Sequence, residues 1–240
     1  MVEFIKIKYG QEESISRGKA MQTWTEKVNI ENGIRCYRGV IKKEFDIINK
    51  LESNLLPIGS NQRYCWQPAY VGYQQLIPEY RNCSDFKFKK TDIEHDKSQI
   101  SLNLQSIWQD TYDASFPAVE DYRSEYNIMP LKYWEAINYV KYGPGQHFME
   151  HHDHGFSYNC TVSLVAYVND DYEGGELYFR LQDLKIKPQA GDLYVFPSNF
   201  MYPHQAMPVL SGTKYSIVTM LDYSKKYHTP DMYDPKWNDE

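Results

Sequence analysis

The sequence predicts a mainly β protein with flanking α-helices, its core a double-stranded β-helix of the jelly-roll kind. Three observations carry this. Between Ala136 and Leu221 eight short runs of strand-forming residues follow one another, most of them separated by turn residues. Upstream, apolar residues recur at helical spacing instead. Hydrophobic residues make up 42% of the 240, enough to bury a sizeable core.

Taken in order, Val2, Phe4 and Ile7 suggest a first strand, followed by polar Gln11 to Lys19. Asn32-Gly33 is a hairpin turn between Thr23–Ile30 and Ile34–Val40. Ile41, Phe45, Ile48, Leu51 and Leu55 predict a helix that Pro57 stops. Pro57 to Lys90 shows no period and reads as loops and short strands near the mouth of a site. Ile100, Leu104, Ile107, Trp108 and Thr111 predict a second helix, and Val119, Tyr122 and Tyr126 a shorter one opened by Pro117. Strands are then expected at Ala136–Tyr142, Gln146–Asp153, Cys160–Val168, Glu176–Leu181, Leu184–Lys187, Leu193–Phe196, Tyr202–Met207 and Thr213–Leu221. The helices are expected to pack on the outer sheet. This amounts to a single domain over 1–240: N-terminal strands, helices and loops at 1–132, a jelly-roll core at 133–223, and a polar tail at 224–240.

The net charge of −6 disfavours a large nucleic-acid footprint, which rests on neutralising phosphates. Cys36, Cys65, Cys83 and Cys160 form no C-x-x-C pair, so buried reduced thiols are expected rather than a zinc knuckle or redox dithiol. No signal peptide is visible at the N-terminus, and no run approaches 18 apolar residues. A cytoplasmic location fits these features.

The chemistry gathers between Tyr142 and Lys214. His151 and Asp153 lie two apart on an expected strand, so they should share one face, with His152 and His154 on the other. Only the first pair includes a carboxylate. His204 lies far downstream in Met201-Tyr202-Pro203-His204. Two imidazoles and one carboxylate are the facial ligand set of non-haem Fe(II) oxygenases. Ten residues on, Lys214 sits in an apolar strand, and Ser216 shares its face. Gly174-Gly175-Glu176 reads as a turn, since no helix pattern follows it.

The series Tyr142-Gly143, His151-x-Asp153, Gly174-Gly175-Glu176, Gly191-Asp192, His204 and Lys214 resembles the 2-oxoglutarate/Fe(II)-dependent dioxygenases, nearest to their prolyl 4-hydroxylase-like branch. The resemblance covers about residues 134–223 and implies a cupin-like catalytic core. It implies that His151, Asp153 and His204 bind Fe(II) and are catalytic, that Lys214 meets the distal carboxylate of 2-oxoglutarate, and that Tyr142 hydrogen-bonds this cosubstrate. Ser216 is expected to add a hydroxyl there. Dioxygen is the co-reactant, and ascorbate is the expected reductant. His147, His152 and His154 remain outside the ligand set.

The implied reaction turns 2-oxoglutarate into succinate while hydroxylating an unactivated C–H, in this branch that of a prolyl residue in a peptide or protein. A free amino acid or other small molecule is the alternative substrate. A metal-binding jelly roll without turnover is the alternative function. Nucleic-acid demethylation by the same cofactors suits the acidic charge poorly, and no membrane partner is expected. Two positions depart from the branch: Leu177 stands where many members carry threonine, and Met220 where tryptophan is frequent.

Overall fold

A computed structural model describes residues 21–60, 62–72, 75–155, 159–223 and 228. The strand expected at Val2 to Ile7 lies outside these residues, as does all of the 224–240 tail except His228. The chain opens with a hairpin of β1 (Glu26–Glu31) and β2 (Ile34–Arg38), turning at Asn32-Gly33 as expected. Gly33 has φ +78°, the left-handed value that this kind of turn demands.

The helix expected from Ile41 is shorter than its period. A 3-10 turn at Lys43–Phe45 ends where Asp46 takes φ 52°, and α1 then runs only over Ile47–Asn54. Asp46 is anchored by Asn49, whose side-chain amide donates to its carboxylate at 3.0 Å. A left-handed residue cannot sit inside an α-helix, so the apolar period outlasts the element.

The two helices expected around Pro117 are one, α3 (Gln99–Glu125), of 27 residues with Pro117 inside it. Proline removes one internal hydrogen bond and crowds the preceding turn. Tertiary packing overrides that cost, because Leu104, Ile107, Ala118, Val119 and Tyr122 are all buried against the sheet. Between α1 and α3 lie β3 (Gln67–Pro68), β4 (Arg81–Asn82), β5 (Ser84–Phe88) and α2 (Lys90–Ile93).

From Tyr133 the chain is strand: β6 (Tyr133–Trp134), β7 (Ile137–Tyr142), β8 (His147–His151), β9 (Val162–Tyr167), β10 (Glu173–Gly174), β11 (Leu177–Phe179), β12 (Leu184–Ile186), β13 (Leu193–Pro197), β14 (His204–Ala206), β15 (Val209–Ser211) and β16 (Lys214–Asp222). All eight expected strands are present. The large sheet has the order β1-β2-β13-β9-β16-β7-β5-β3 with β6 on β16, and the small sheet β12-β11-β14-β8-β4. The eight core strands thus divide between two facing sheets as a double-stranded β-helix does. β4 pairs with β8 in the small sheet and β5 with β7 in the large one, with Cys83 alone between them.

Alternation assigns the faces of the large sheet. Ile137, Tyr139, Leu164, Ala166, Leu193, Val195 and Ile217 cluster with α3 on the outer face. Burying one such side chain contributes about 1.5–3 kcal/mol. The intervening residues, among them Tyr142, Ser163, Tyr167, Lys214 and Ser216, look inward at the small sheet. No helix among the described residues is long and apolar enough to cross a membrane.

Candidate active site

His151 ends β8 and His204 begins β14, and the two pair directly across the small sheet. The next pair is Ala206 with Phe148, two steps along β14 but three along β8, so β8 carries one extra residue. This bulge brings Phe148 and His151, which an ideal strand would set on opposite faces, to the same side. Their rings stack with centroids 3.6 Å apart.

Asp153 lies beyond the end of β8, in a bend. It therefore reaches the site through the turn of the chain and not through the strand alternation that the sequence suggested. The convergence nevertheless holds. Asp153 Oδ1 is 3.6 Å from His151 Nε2, and Oδ2 is 3.8 Å from His204 Nε2. Ligand atoms of all three lie within 4.8 Å of one another, the one such group of metal-ligating side chains among the described residues.

The tautomers follow from the partners. His151 Nδ1 donates to the Met149 carbonyl at 2.8 Å and His204 Nδ1 to the Tyr202 carbonyl at 3.2 Å. A carbonyl only accepts, so each ring carries a proton on Nδ1 and turns Nε2 to Asp153. Burial, followed by the neighbouring His204, lowers the His151 pKa and keeps that ring neutral. Burial alone would raise Asp153, but His204, His151 and a hydrogen bond from Ser163 together hold it below the usual carboxylate range. Two imidazoles and a carboxylate suit a divalent cation, and iron among the candidates.

Further inside, Lys214 is 1% exposed. Its Nζ donates to the Gly175 carbonyl at 3.0 Å and lies 4.3 Å from the centre of the Tyr142 ring, its register partner across β16 and β7. Among the described residues no carboxylate is within ion-pair reach of it. Burial is the largest cause that brings its pKa down to about 7. Gly175 is what lets the turn approach: at φ +64°, a Cβ there would meet Tyr172 at 2.9 Å and the Lys214 stem at 3.2 Å.

Tyr142 is buried, and its pKa is raised well above the ordinary value, first by burial and then by Cys83, so it remains a hydroxyl donor. Ser216 is buried on the same inner face, between Val140 of β7 and Tyr167 of β9. His152 is exposed. His154 and His147 are occupied by backbone carbonyls, those of Cys160 and of Gly145 and Glu79 respectively. Leu177 packs into the small-sheet core beside Phe179 and Phe196, and Met220 faces Ser163 across β16 and β9.

Two neighbours of the site escaped sequence reasoning. Ser163 donates to Asp153 Oδ2 from the inner face of β9. Its signal was present: one hydroxyl in the otherwise apolar Val162-Ser163-Leu164-Val165-Ala166 needs a partner once buried. Arg81 holds the Tyr70 carbonyl and Asp85 and lays its guanidinium over Phe148, 4.8 Å from the ring centre. Its Nε is buried without a partner among the described residues. Nothing in the loop's sequence distinguishes it.

Residues 137–221 match the 2OG-Fe(II) oxygenase superfamily. A protein of Acanthamoeba polyphaga mimivirus, provisionally named prolyl 4-hydroxylase, is 30% identical over 134 residues, which are 47% of this chain and 55% of that one. The chain thus spans about half the length of this relative. In fold it is similar to a prolyl hydroxylase of Trichoplax adhaerens solved with a peptide fragment of the hypoxia-inducible factor oxygen degradation domain. That likeness has a TM-score of 0.61 at 12% identity, over 79% of this chain and 83% of the other. The viral collagen prolyl hydroxylase of Paramecium Bursaria Chlorella virus-1, solved with 2-oxoglutarate, matches with a TM-score of 0.54 at 18% identity, over 79% of this chain and 95% of the other.

Proposed function

We infer, from the premise that residues 137–221 are a 2OG-Fe(II) oxygenase core of the prolyl hydroxylase-like kind, that this protein hydroxylates a prolyl residue of a peptide or protein. One observation carries the reading. On the inner side of the barrel, a convergent His-Asp-His group is joined by a fully buried lysine that no carboxylate among the described residues neutralises. A simple metal site has no use for such a cation, whose desolvation is costly unless a ligand offsets it.

In this reading His151 and His204 offer Nε2, and Asp153 a carboxylate oxygen, to Fe(II). Lys214 receives the distal carboxylate of 2-oxoglutarate, with the Tyr142 hydroxyl as a second donor and Ser216 beside them. The bound iron and 2-oxoglutarate supply the oxidising power, using dioxygen and releasing succinate and carbon dioxide. The chain's part is positioning. Phe148 braces one face of the His151 ring, and the Met149 and Tyr202 carbonyls fix both imidazole tautomers. The apolar Phe179 and Phe196 rings around His204 keep water from that side.

Peptide substrates draw support from the fold likeness to a prolyl hydroxylase solved with a peptide, and from the exposed Tyr70, Leu76 and Ile77 on the loop before Arg81. The four cysteines, all buried and free, favour a reducing compartment, and we place the protein in the cytoplasm. Succinate release by the Fe(II) protein, with and without proline-containing peptides, tests the activity. Stimulation by such peptides is expected. Stimulation by free amino acids alone would replace the substrate assignment, and no 2-oxoglutarate turnover with any co-substrate would refute the reading.

A further inference from the structure

The inner face of β9 is apolar but for Ser163 and Tyr167, and Ser163 is 0% exposed. Its hydroxyl has two partners, Asp153 Oδ2 and, at 2.7 Å, the hydroxyl of Ser198, itself 1% exposed. Proton counting orders this chain. The Ser163 hydroxyl donates to Asp153 Oδ2, which commits its single proton. Ser163 therefore accepts from Ser198, and Ser198 spends its only proton on Ser163. With Ser163 committed to Asp153, this is the order that satisfies both contacts.

Ser198 is held in its turn by the backbone. Its N–H donates to the Thr161 carbonyl at 3.1 Å, and its carbonyl accepts from His154 N–H at 2.9 Å. The His154 amide is adjacent to Asp153, so the same short loop is tied at its backbone and at its carboxylate to one serine pair. This matters because Asp153 stands past the end of β8, without a strand ladder to fix it.

We propose that Ser163, oriented by Ser198, is the positioning residue of the metal site: it pins Asp153 Oδ2 and turns Oδ1 toward the metal as the ligating oxygen. The role rests on the metal-site reading above but adds something that reading does not require. Side chains that hydrogen-bond metal ligands typically contribute about 10–100-fold to metal affinity.

The test is Co(II) titration of the purified metal-free chain, following the visible ligand-field bands, with Mn(II) affinity by calorimetry as a second measure. Ser163→Ala is expected to weaken Co(II) about 10–100-fold and to shift the bands toward a looser ligand set. Ser163→Thr, which keeps the hydroxyl, should restore both. Ser198→Ala should weaken binding by a smaller factor. A merely structural role would lower the unfolding midpoint of the metal-free protein and leave the Co(II) bands of its folded fraction alone. Unchanged affinity and bands in Ser163→Ala, or in Ser198→Ala should Ser163→Ala fail to fold, overturn the proposal. Wild-type protein that binds no Co(II) at all overturns the metal-site reading instead, so the two failures are distinguishable.

Discussion

The outer face of the large sheet, under α3, and its inner face, toward the small sheet, are both withdrawn from solvent, yet they differ in material. Outside, Ile137, Leu164, Ala166, Leu193, Val195 and Ile217 meet the apolar stripe of α3. Among its polar groups, the hydroxyls of Tyr139 and Thr111 lie 3.2 Å apart. Inside, at alternate positions of the same strands, stand Tyr142, Ser163, Lys214 and Ser216. A buried ammonium resting on one carbonyl and one aromatic ring is poorly compensated. The outer face holds the molecule together. The inner face spends some of that stability on groups that need a ligand.

The largest expected effect breaks the inner face outright. Replacing His151, Asp153 or His204 by alanine should reduce iron-dependent succinate formation to background while the metal-free protein still folds, because none of the three anchors the core. Loss of folding along with activity would show that the inner face is structural after all.

Next comes Lys214→Met, which keeps the stem and drops the charge. Leaving one partner of a buried ion pair alone typically costs about 3–5 kcal/mol, so 2-oxoglutarate should bind roughly a hundred- to a thousandfold more weakly. The ligand-free protein should melt no lower than wild type, since an uncompensated charge is gone. Titration followed by the iron-to-ligand charge-transfer band reads the first effect and calorimetry the second. Undiminished cosubstrate affinity would remove Lys214 from the site.

Leu164→Ala is the mirror experiment on the outer face. It should cost about 2–5 kcal/mol of stability in denaturant unfolding and leave the cosubstrate affinity of the folded fraction unaltered. A large drop in affinity would mean that the two faces are coupled through β9.

Smaller is the pH effect. With burial holding Lys214 at about 7 in the free protein, the ammonium is present below that pH and is progressively lost above it. A bound carboxylate favours the charged form and raises this pKa. Affinity for 2-oxoglutarate should therefore be full below pH 7 and fall by up to about tenfold per unit above it, until the pKa of the complex is reached. A flat affinity from pH 6 to 9 would rule the lysine out as the titrating partner. Smallest of all, exposed His152→Ala should leave activity nearly unchanged, within about 0.5 kcal/mol.

The contrast between the faces also explains what could be read in the sequence. Alternation and turn residues exposed all eight core strands, because each signal lies within a few neighbouring residues. His204 and Lys214 were found from their place in a series. The bulge between Phe148 and His151 was invisible, since it is a property of two strands in register and not of one. It changed the reason Asp153 reaches the site, though not the fact. Pro117 misled because its local cost is real and only the packing of α3 on the sheet offsets it. Arg81 was hidden for the same kind of reason: its partners Tyr70, Asp85 and Phe148 are brought to it by the fold.

Cys83 joins a strand of one sheet to a strand of the other with no slack. Two extended residues reach only about 7 Å, so along this seam the sheets are sewn rather than merely packed. At the far edge β12 passes to β13 through residues 187–192, a longer link, so one side of the barrel is tied more tightly than the other. A bulky substrate cannot be admitted by prising the sheets apart at β4 and β5. Any widening must instead pivot about that seam, like a purse opening away from its sewn edge. A disulfide placed to clamp the opposite rim would then slow entry, and one placed near Cys83 would change nothing.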